Sequence, residues 1–143
     1  MTDEMPKTIA HLFAEMMNAH DPDRVDGFLA ADYINHNPMV DDGREANRAL
    51  WGRWFAAFPD TRVEVEDVVT SGDTVVGRFT YRATHVGSLM GEPPTGRPVE
   101  MRSIDIWRVR DGRAVEHWDE LNTLETFVQL GLAAAVPVRQ DGA

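Results

Sequence analysis

Apolar residues recur at helical spacing in the first part of the chain and at alternate positions in most of the rest. Within residues 6–19 they fall at i, i+3, i+4, i+7 and i+8, which predicts an amphipathic helix. Its buried stripe consists of Ile9, Leu12, Phe13, Met16 and Met17. A shorter helix is predicted at Asp23–Leu29, a short strand at Asp32–His36, and a third helix at Glu45–Phe58, where Pro59 ends the run.

Beyond the third helix the hydrophobic period changes to two, which is typical of strands. Strands are predicted at Arg62–Val69 and Thr74–His85, and a loop rich in glycine and proline at Gly87–Pro98. A short closing helix is predicted at Thr123–Leu130, with residues 133–143 as a flexible tail. Helices and strands segregated in this way predict an α+β fold, in which a curved mixed or antiparallel sheet packs on three N-terminal helices.

The last predicted hairpin has the strongest local signal, because Asp111-Gly112 separates two alternating runs. The two-residue period of a strand places His117 and Asp119 on one face of the second run. A three-residue loop puts Asp105 opposite His117, with Asp119 one pleat away, whereas a two-residue loop puts Asp105 across from Trp118. The three-residue loop is the favoured interpretation, since it gathers the three titratable groups on one surface.

The other face of this hairpin is also apolar, because Ile104, Ile106 and Trp118 point away from the titratable groups in that register. Apolar side chains on both faces indicate that both faces are covered. Since no further segment of the chain remains to cover the second face, we expect a homodimer formed through this outer sheet face.

Composition and charge narrow the classes of partner. The 143 residues, expected to form a single domain (1–143), carry 24 acidic and 14 basic side chains and a net charge of −10. This excess argues against nucleic acid and anionic membranes, whose phosphates attract Lys and Arg. Without cysteine there is no disulfide or thiol nucleophile. A polar N-terminus and the lack of a membrane-length apolar run predict a cytoplasmic protein.

Several short motifs follow one another in order along the chain. They are Ala57-Phe58-Pro59-Asp60, Thr84-His85-Val86-Gly87, Pro93–Arg97, Asp111-Gly112, Glu116–Asp119 and Phe127–Gly131. With these motifs the chain resembles the SnoaL-like polyketide cyclases, within the NTF2-like (ketosteroid-isomerase-like) superfamily. The resemblance implies an NTF2-like cone with a mostly apolar cavity at its wide end, usually in a homodimer. It is less specific for activity, because this fold hosts many functions.

The resemblance also implies a catalytic residue. In those cyclases an Asp on the last strand is the general acid/base for an intramolecular aldol closure of a polyketide ester, and the matching residue here is Asp119. The chain departs from the pattern at three positions. Asp105 stands where the cyclases have a His, and Met17 and Leu50 replace a Tyr and an Asn. These departures weaken the aromatic-polyketide assignment but leave the acid/base Asp in place.

A carboxylate can remove a proton next to a carbonyl if its pKa rises toward the operating pH. Burial in an apolar cavity and the like charge of Asp105 would both raise the pKa of Asp119. His117 could hydrogen-bond either carboxylate or the substrate. The alternative is that Asp105 and His117 form a purely structural charge-assisted pair.

Five further residues are predicted to contact the substrate: His36, Trp54, Phe55, His85 and Trp107. Each also has a structural interpretation, as a core aromatic, a backbone cap (His36) or an anchor for the following loop (His85). The histidine and carboxylates resemble metal ligands, but acid/base chemistry explains the same residues without a metal, so no metal or other cofactor is expected.

The leading prediction is a cofactor-independent enzyme that acts on a small apolar carbonyl or ester substrate by intramolecular aldol cyclisation. Isomerisation, dehydration and epoxide hydrolysis on the same fold remain alternatives. A non-catalytic, dimeric small-molecule-binding protein is an alternative of a different class.

Overall fold

The computed structural model of the protein describes residues 7–134, so most of the predicted tail at 133–143 lies outside the described residues. The elements, in chain order, are helix α1 (Ile9–Ala19), a 3-10 helix (Pro22–Gly27), strand β1 (Leu29–Asn35), helix α2 (Arg44–Ala57), strands β2 (Arg62–Ser71), β3 (Thr74–Thr84), β4 (Pro98–Arg110) and β5 (Arg113–Leu121), and helix α3 (Thr123–Gln129). They confirm the α+β class. No described helix is long and apolar enough to cross a membrane, and the cytoplasmic location stays a prediction.

The second helix is shorter and tighter than predicted. Pro22 occupies its first position, and the Asp21 carboxylate accepts a hydrogen bond of 3.1 Å from the backbone N–H of Asp23. This cap supports a 3-10 turn over Pro22–Gly27. The chain extends from Leu29, so β1 begins earlier than the predicted strand.

The described strands form one mixed sheet in the order β1-β5-β4-β3-β2. β1 runs parallel to β5, and the other three neighbouring pairs are antiparallel. The sheet confirms the predicted mixed architecture. Because β1 pairs with β5 and contacts α2, it lies between the start of α2 and the last strand.

Helix α1 packs closely on the inner face of the sheet. Phe13 lies with its ring centroid 5.2 Å from that of Phe79 and 5.7 Å from that of Trp107. The helix can approach β3 because position 77 is glycine: a Cβ there would lie 2.5 Å from the Phe79 ring and 3.1 Å from Ala10. The predicted apolar stripe of α1 therefore packs into the hydrophobic core against the sheet.

The turn between β4 and β5 is a two-residue loop, not the favoured three-residue loop. Asp111 and Gly112 have φ angles of 51° and 77°, as a type I′ turn requires, and Arg110 pairs directly with Arg113. The favoured register is wrong because Asp and Gly both tolerate positive φ, which lets the shorter turn form.

A bulge in β5 then changes the register again. The pairing shifts by one residue near the turn, where Val115 is the extra residue of β5. Asp105 consequently lies opposite Asp119, and Trp107 lies opposite His117. All four side chains share the inner face, as predicted, because the bulge restores the parity that a two-residue loop alone would have reversed.

Candidate active site

A cavity of about 470 Å³ lies between α2 and the inner face of the sheet. Its walls are mostly aromatic and aliphatic, and include Phe13, Trp51, Trp54, Phe58, Trp107 and Phe127. Polar groups interrupt this surface, among them asparagine amides, two carboxylates and an imidazole. The size and the composition are those of a site for a small, largely apolar molecule.

The three predicted catalytic residues, Asp105, His117 and Asp119, all line this cavity. One side-chain ligand atom from each lies within 4.8 Å of the others. Asp105 is only 4% exposed, and His117 Nε2 lies 2.7 Å from its Oδ2 atom. Ser103 Oγ donates to the other oxygen at 2.6 Å, so both carboxylate oxygens of Asp105 have partners, as a buried charge requires.

The second ring nitrogen of His117 also faces an acceptor. His117 Nδ1 lies 3.0 Å from Asn35 Oδ1, and the same oxygen accepts the backbone N–H of Asn37 at 3.0 Å. Because that N–H orients the oxygen of the Asn35 amide toward the ring, His117 Nδ1 must donate. The ring of His117 is therefore held between the Asn35 amide and the Asp105 carboxylate, one partner on each nitrogen.

Asp119 has a different environment from Asp105. It is half-buried, and Asn37 Nδ2 lies 3.1 and 3.2 Å from its two oxygens. Burial raises the pKa of Asp119 above its ordinary value, against the opposing effects of the charge on His117 and the hydrogen bond from Asn37. The negative charge of Asp105 adds a smaller rise. Asp119 therefore has the direction of pKa shift that a general base needs.

Two of the five predicted substrate contacts, Trp54 and Trp107, line the cavity. Phe55 does not, because the next position along a helix turns away by about 100°. It is buried in the core with its ring 5.4 Å from that of His20.

The other two predicted contacts also lie away from the cavity lining. His36 is exposed on the outer face, where it stacks on Trp118 at 4.7 Å and bonds to Glu116 at 2.7 Å. His85 is fully buried, and its Nδ1 accepts the backbone N–H of Thr95 at 3.1 Å. His85 therefore anchors the loop after β3, which was the structural alternative, and the geometry gives neither histidine a substrate contact.

Sequence reasoning missed several polar residues of the cavity, among them Tyr33, Asn35, Asn37 and Asn47. Tyr33 stacks on the His117 ring at 6.0 Å, and burial holds the pKa of its hydroxyl well above the ordinary value. The alternation of Tyr33 and Asn35 along β1 was an available signal. The place of Asn47 on the apolar stripe of α2, three residues before Leu50, was another signal. Nothing local identified Asn37, because its partner Asp119 is distant in the chain.

Asp105, His117 and Asp119 could also offer one atom each to a metal ion. In this arrangement, however, His117 Nε2 and the Asp105 carboxylate are bonded to each other. A metal would have to replace that bond.

A mixed sheet packed on helices, with two carboxylates and an imidazole in an apolar cavity, defines an NTF2-like α+β protein with a small-molecule site. The sequence profile of the SnoaL-like polyketide cyclases matches residues 7–130. The chain belongs to this family, which confirms the resemblance found in its motifs and the prediction of an enzyme.

The similar proteins include two curated cyclases. The chain is 29% identical over 122 residues to aklanonic acid methyl ester cyclase DnrD of Streptomyces peucetius, covering 82% of this chain and 84% of that protein. It is 30% identical over 113 residues to nogalonic acid methyl ester cyclase of Streptomyces nogalater, covering 76% and 84%. The solved structure of TsrD from Streptomyces laurentii matches with a TM-score of 0.79 at 35% identity, covering 85% of this chain and 91% of that one.

Proposed function

We propose that this protein is a cofactor-independent cyclase that closes a ring by an intramolecular aldol reaction in a small, apolar carbonyl or ester compound. Asp119 is the general acid/base. One observation carries the proposal: a half-buried carboxylate, with a pKa raised by burial, lies in an otherwise apolar cavity. The chain's similarity to two methyl ester cyclases supports the reaction class.

In the proposed reaction, the Asp119 carboxylate removes a proton from the carbon next to one carbonyl and leaves an enolate. The enolate carbon attacks a second carbonyl of the same molecule, so that a carbon–carbon bond forms and the carbonyl oxygen becomes an alkoxide. Asp119 returns its proton to that oxygen, and the product is an isomer of the substrate. The apolar walls exclude water and strengthen the electrostatic interactions that stabilise both anions.

The remaining polar residues position this base and balance its charge. Asn37 orients the Asp119 carboxylate through its side-chain amide. His117, held between Asp105 and Asn35, lines the cavity close to Asp119. The rings of Trp54 and Trp107 pack against the apolar body of the substrate.

The outer face of the sheet supports the proposal of a homodimer. Ile104 is 50% and Ile106 is 36% exposed on this face, and Trp118 lies beside them with Arg108 5.3 Å from its ring. A second copy of the chain is the proposed cover for this apolar strip.

The catalytic role is tested by Asp119→Asn, with Glu120→Gln on the neighbouring exposed carboxylate as the matched control. Polyketide methyl esters that carry a second carbonyl are incubated with each enzyme, and products are identified by mass spectrometry and NMR. We expect a ring-closed isomer from the wild type and the control, and a loss of turnover of about 10²–10⁴-fold in Asp119→Asn.

Each alternative function gives a different result in the same assay. An isomer without a new carbon–carbon bond indicates an isomerase, and loss or gain of water indicates a dehydratase or a hydrolase. A ligand that stabilises the fold but is never converted indicates a binding protein. Full turnover by Asp119→Asn would remove the catalytic assignment.

A further inference from the structure

Asn47 is a buried amide in the cavity wall that the proposed mechanism does not use. It lies in the second turn of α2, is 6% exposed, and lines the cavity. Its backbone N–H bonds to the carbonyl of Gly43 at 3.3 Å. The side-chain hydrogen bonds among residues 7–134 do not involve this amide, and its atoms are not among the fully enclosed, unpartnered ones, so the amide is open to the cavity.

Hydrogen bonds join the segment just before α2 to β1, a strand of the cavity wall. The backbone N–H of Gly43 donates to the carbonyl of Tyr33 at 2.6 Å, and the Asp42 carboxylate accepts the N–H of Asn35 at 2.8 Å. These two bonds fasten the start of α2 to β1. Tyr33 and Asn35 line the cavity beside His117, and Asn47, one helical turn after Gly43, lines the same cavity.

Asn47 is the polar member of an otherwise apolar stripe. Asn47, Leu50, Trp51 and Trp54 recur at i, i+3, i+4 and i+7 on α2, and all four line the cavity. A buried amide without a partner destabilises a protein, whereas a leucine at the same position would not. The amide offers two donors and one acceptor, which suit a carbonyl or hydroxyl oxygen.

We propose that Asn47 is a substrate-positioning residue whose amide hydrogen-bonds a carbonyl or hydroxyl oxygen of the molecule in the cavity. The contact fixes which end of the substrate lies beside β1, and therefore which carbon faces Asp119. This inference rests on the proposed function for the nature of the substrate, but the contact itself is defined for any oxygen-bearing ligand that fills the cavity.

The test uses two probes of nearly the same shape, acetylnaphthalene and ethylnaphthalene, which differ in one carbonyl oxygen. Their binding is measured by quenching of tryptophan fluorescence in the wild type, Asn47→Leu, Asn47→Ala and Leu50→Ala. In both Asn47 variants we expect the ratio of ketone affinity to hydrocarbon affinity to fall about three- to tenfold from the wild-type ratio, because one hydrogen bond to the ketone is lost. In Leu50→Ala, which changes only apolar surface, the ratio of the two affinities should stay as in the wild type.

A second readout separates substrate positioning from a structural role. If the amide has no partner in the free protein, Asn47→Leu should keep or raise the Tm. A lower Tm, or failure of the variant to fold, would identify a structural amide and overturn the proposal, as would equal losses of affinity for both probes in Asn47→Ala.

The outcome does not depend on the catalytic proposal. The two probes are bound and not converted, so the Asn47 contact can be measured even if Asp119 has no catalytic role. Where a converted substrate is known, Asn47→Leu should raise KM and change the ratio of ring-closed products, whereas Asp119→Asn should lower kcat.

Discussion

At the scale of single residues, the two carboxylates of the cavity have different environments. Asp105 is buried with both oxygens hydrogen-bonded, one of them to His117. Asp119 is half-buried and lines the cavity, and its side-chain partner among residues 7–134 is the Asn37 amide. The Asp105 carboxylate is enclosed by its hydrogen-bond partners, whereas the Asp119 carboxylate is open to the cavity. This difference favours Asp119 over Asp105 as the base.

The environment of Asp119 predicts how the pH dependence of catalysis responds to mutation. A base must be ionised, so kcat/KM should fall as the pH drops through its pKa, at a pH above the ordinary value of 3.8. The bond from Asn37 lowers this pKa and the charge of Glu120 raises it. We therefore expect Asn37→Ala to move the acid limb of the kcat/KM profile to higher pH, and Glu120→Gln to move it slightly lower.

The measurement is a set of kcat/KM profiles for the three proteins with one converted substrate. An acid limb that keeps its wild-type position in Asn37→Ala would show that another group titrates. Opposite movements in the two variants would link the limb to Asp119, because Asn37 lowers the pKa of this carboxyl and Glu120 raises it.

At the scale of elements, the cavity depends on how closely α1 approaches the sheet. Gly77 leaves room for the Phe79 ring and for Ala10 of the helix. Phe13 of the same helix contacts both the sheet and the ring of Trp51 on α2, with centroids 5.6 Å apart. The helix therefore closes the core on one side and supports the cavity wall on the other.

This packing predicts the stability of a pair of glycine variants. Gly77→Ala should lower the free energy of unfolding by about 1–3 kcal/mol, because the new Cβ overpacks against Phe79. At Gly52, inside α2, a new Cβ would have no neighbour within 4 Å. Gly52→Ala should therefore raise the free energy of unfolding by about 0.5–1 kcal/mol, because alanine has the higher helix propensity. Urea denaturation measures both, and equal effects of the two substitutions would contradict the close approach of α1 to β3.

At the scale of the whole molecule, the sheet has an inner face that forms the cavity and an outer face that the described elements leave open. The apolar strip of Ile104 and Ile106 lies on the outer face of β4, opposite the side chains of β4 and β5 that line the cavity. A partner that packs there would stiffen β4 and β5 without entering the cavity. We therefore expect dimerisation to hold the cavity side chains of β4 and β5 more firmly in position.

Sedimentation velocity of the wild type, Ile104→Lys and Leu124→Lys tests the proposed dimer. Ile104→Lys should give a monomer, because it places a charge in the apolar strip. Leu124 is 63% exposed on α3, so Leu124→Lys should sediment as the wild type does. A wild-type monomer at micromolar concentration, or a dimer that Ile104→Lys leaves intact, would exclude this interface.

Much of the architecture could be predicted from the sequence because periodicity is a local property. The stripe of α1, the strand-rich half and the inner-face parity of Asp105, His117 and Asp119 were predictable from positions two, three or four residues apart. The type of turn was ambiguous, since Asp-Gly is compatible with more than one loop length. The place of His85 at the end of a strand was likewise ambiguous. The sequence does not show that the following loop folds over this side chain and buries it.

By itself, the sequence determined the α+β class, the family and the acidic residues that share one face of the last two strands. Only the tertiary structure decided that Asp105 faces Asp119 across the sheet, because one extra residue in β5 sets that register. It also decided that Asn37, 82 positions away in the sequence, holds the Asp119 carboxylate. Side-chain spacing fixes which way a residue points within its own element, whereas its partner depends on how distant elements pack, and no local pattern encodes that.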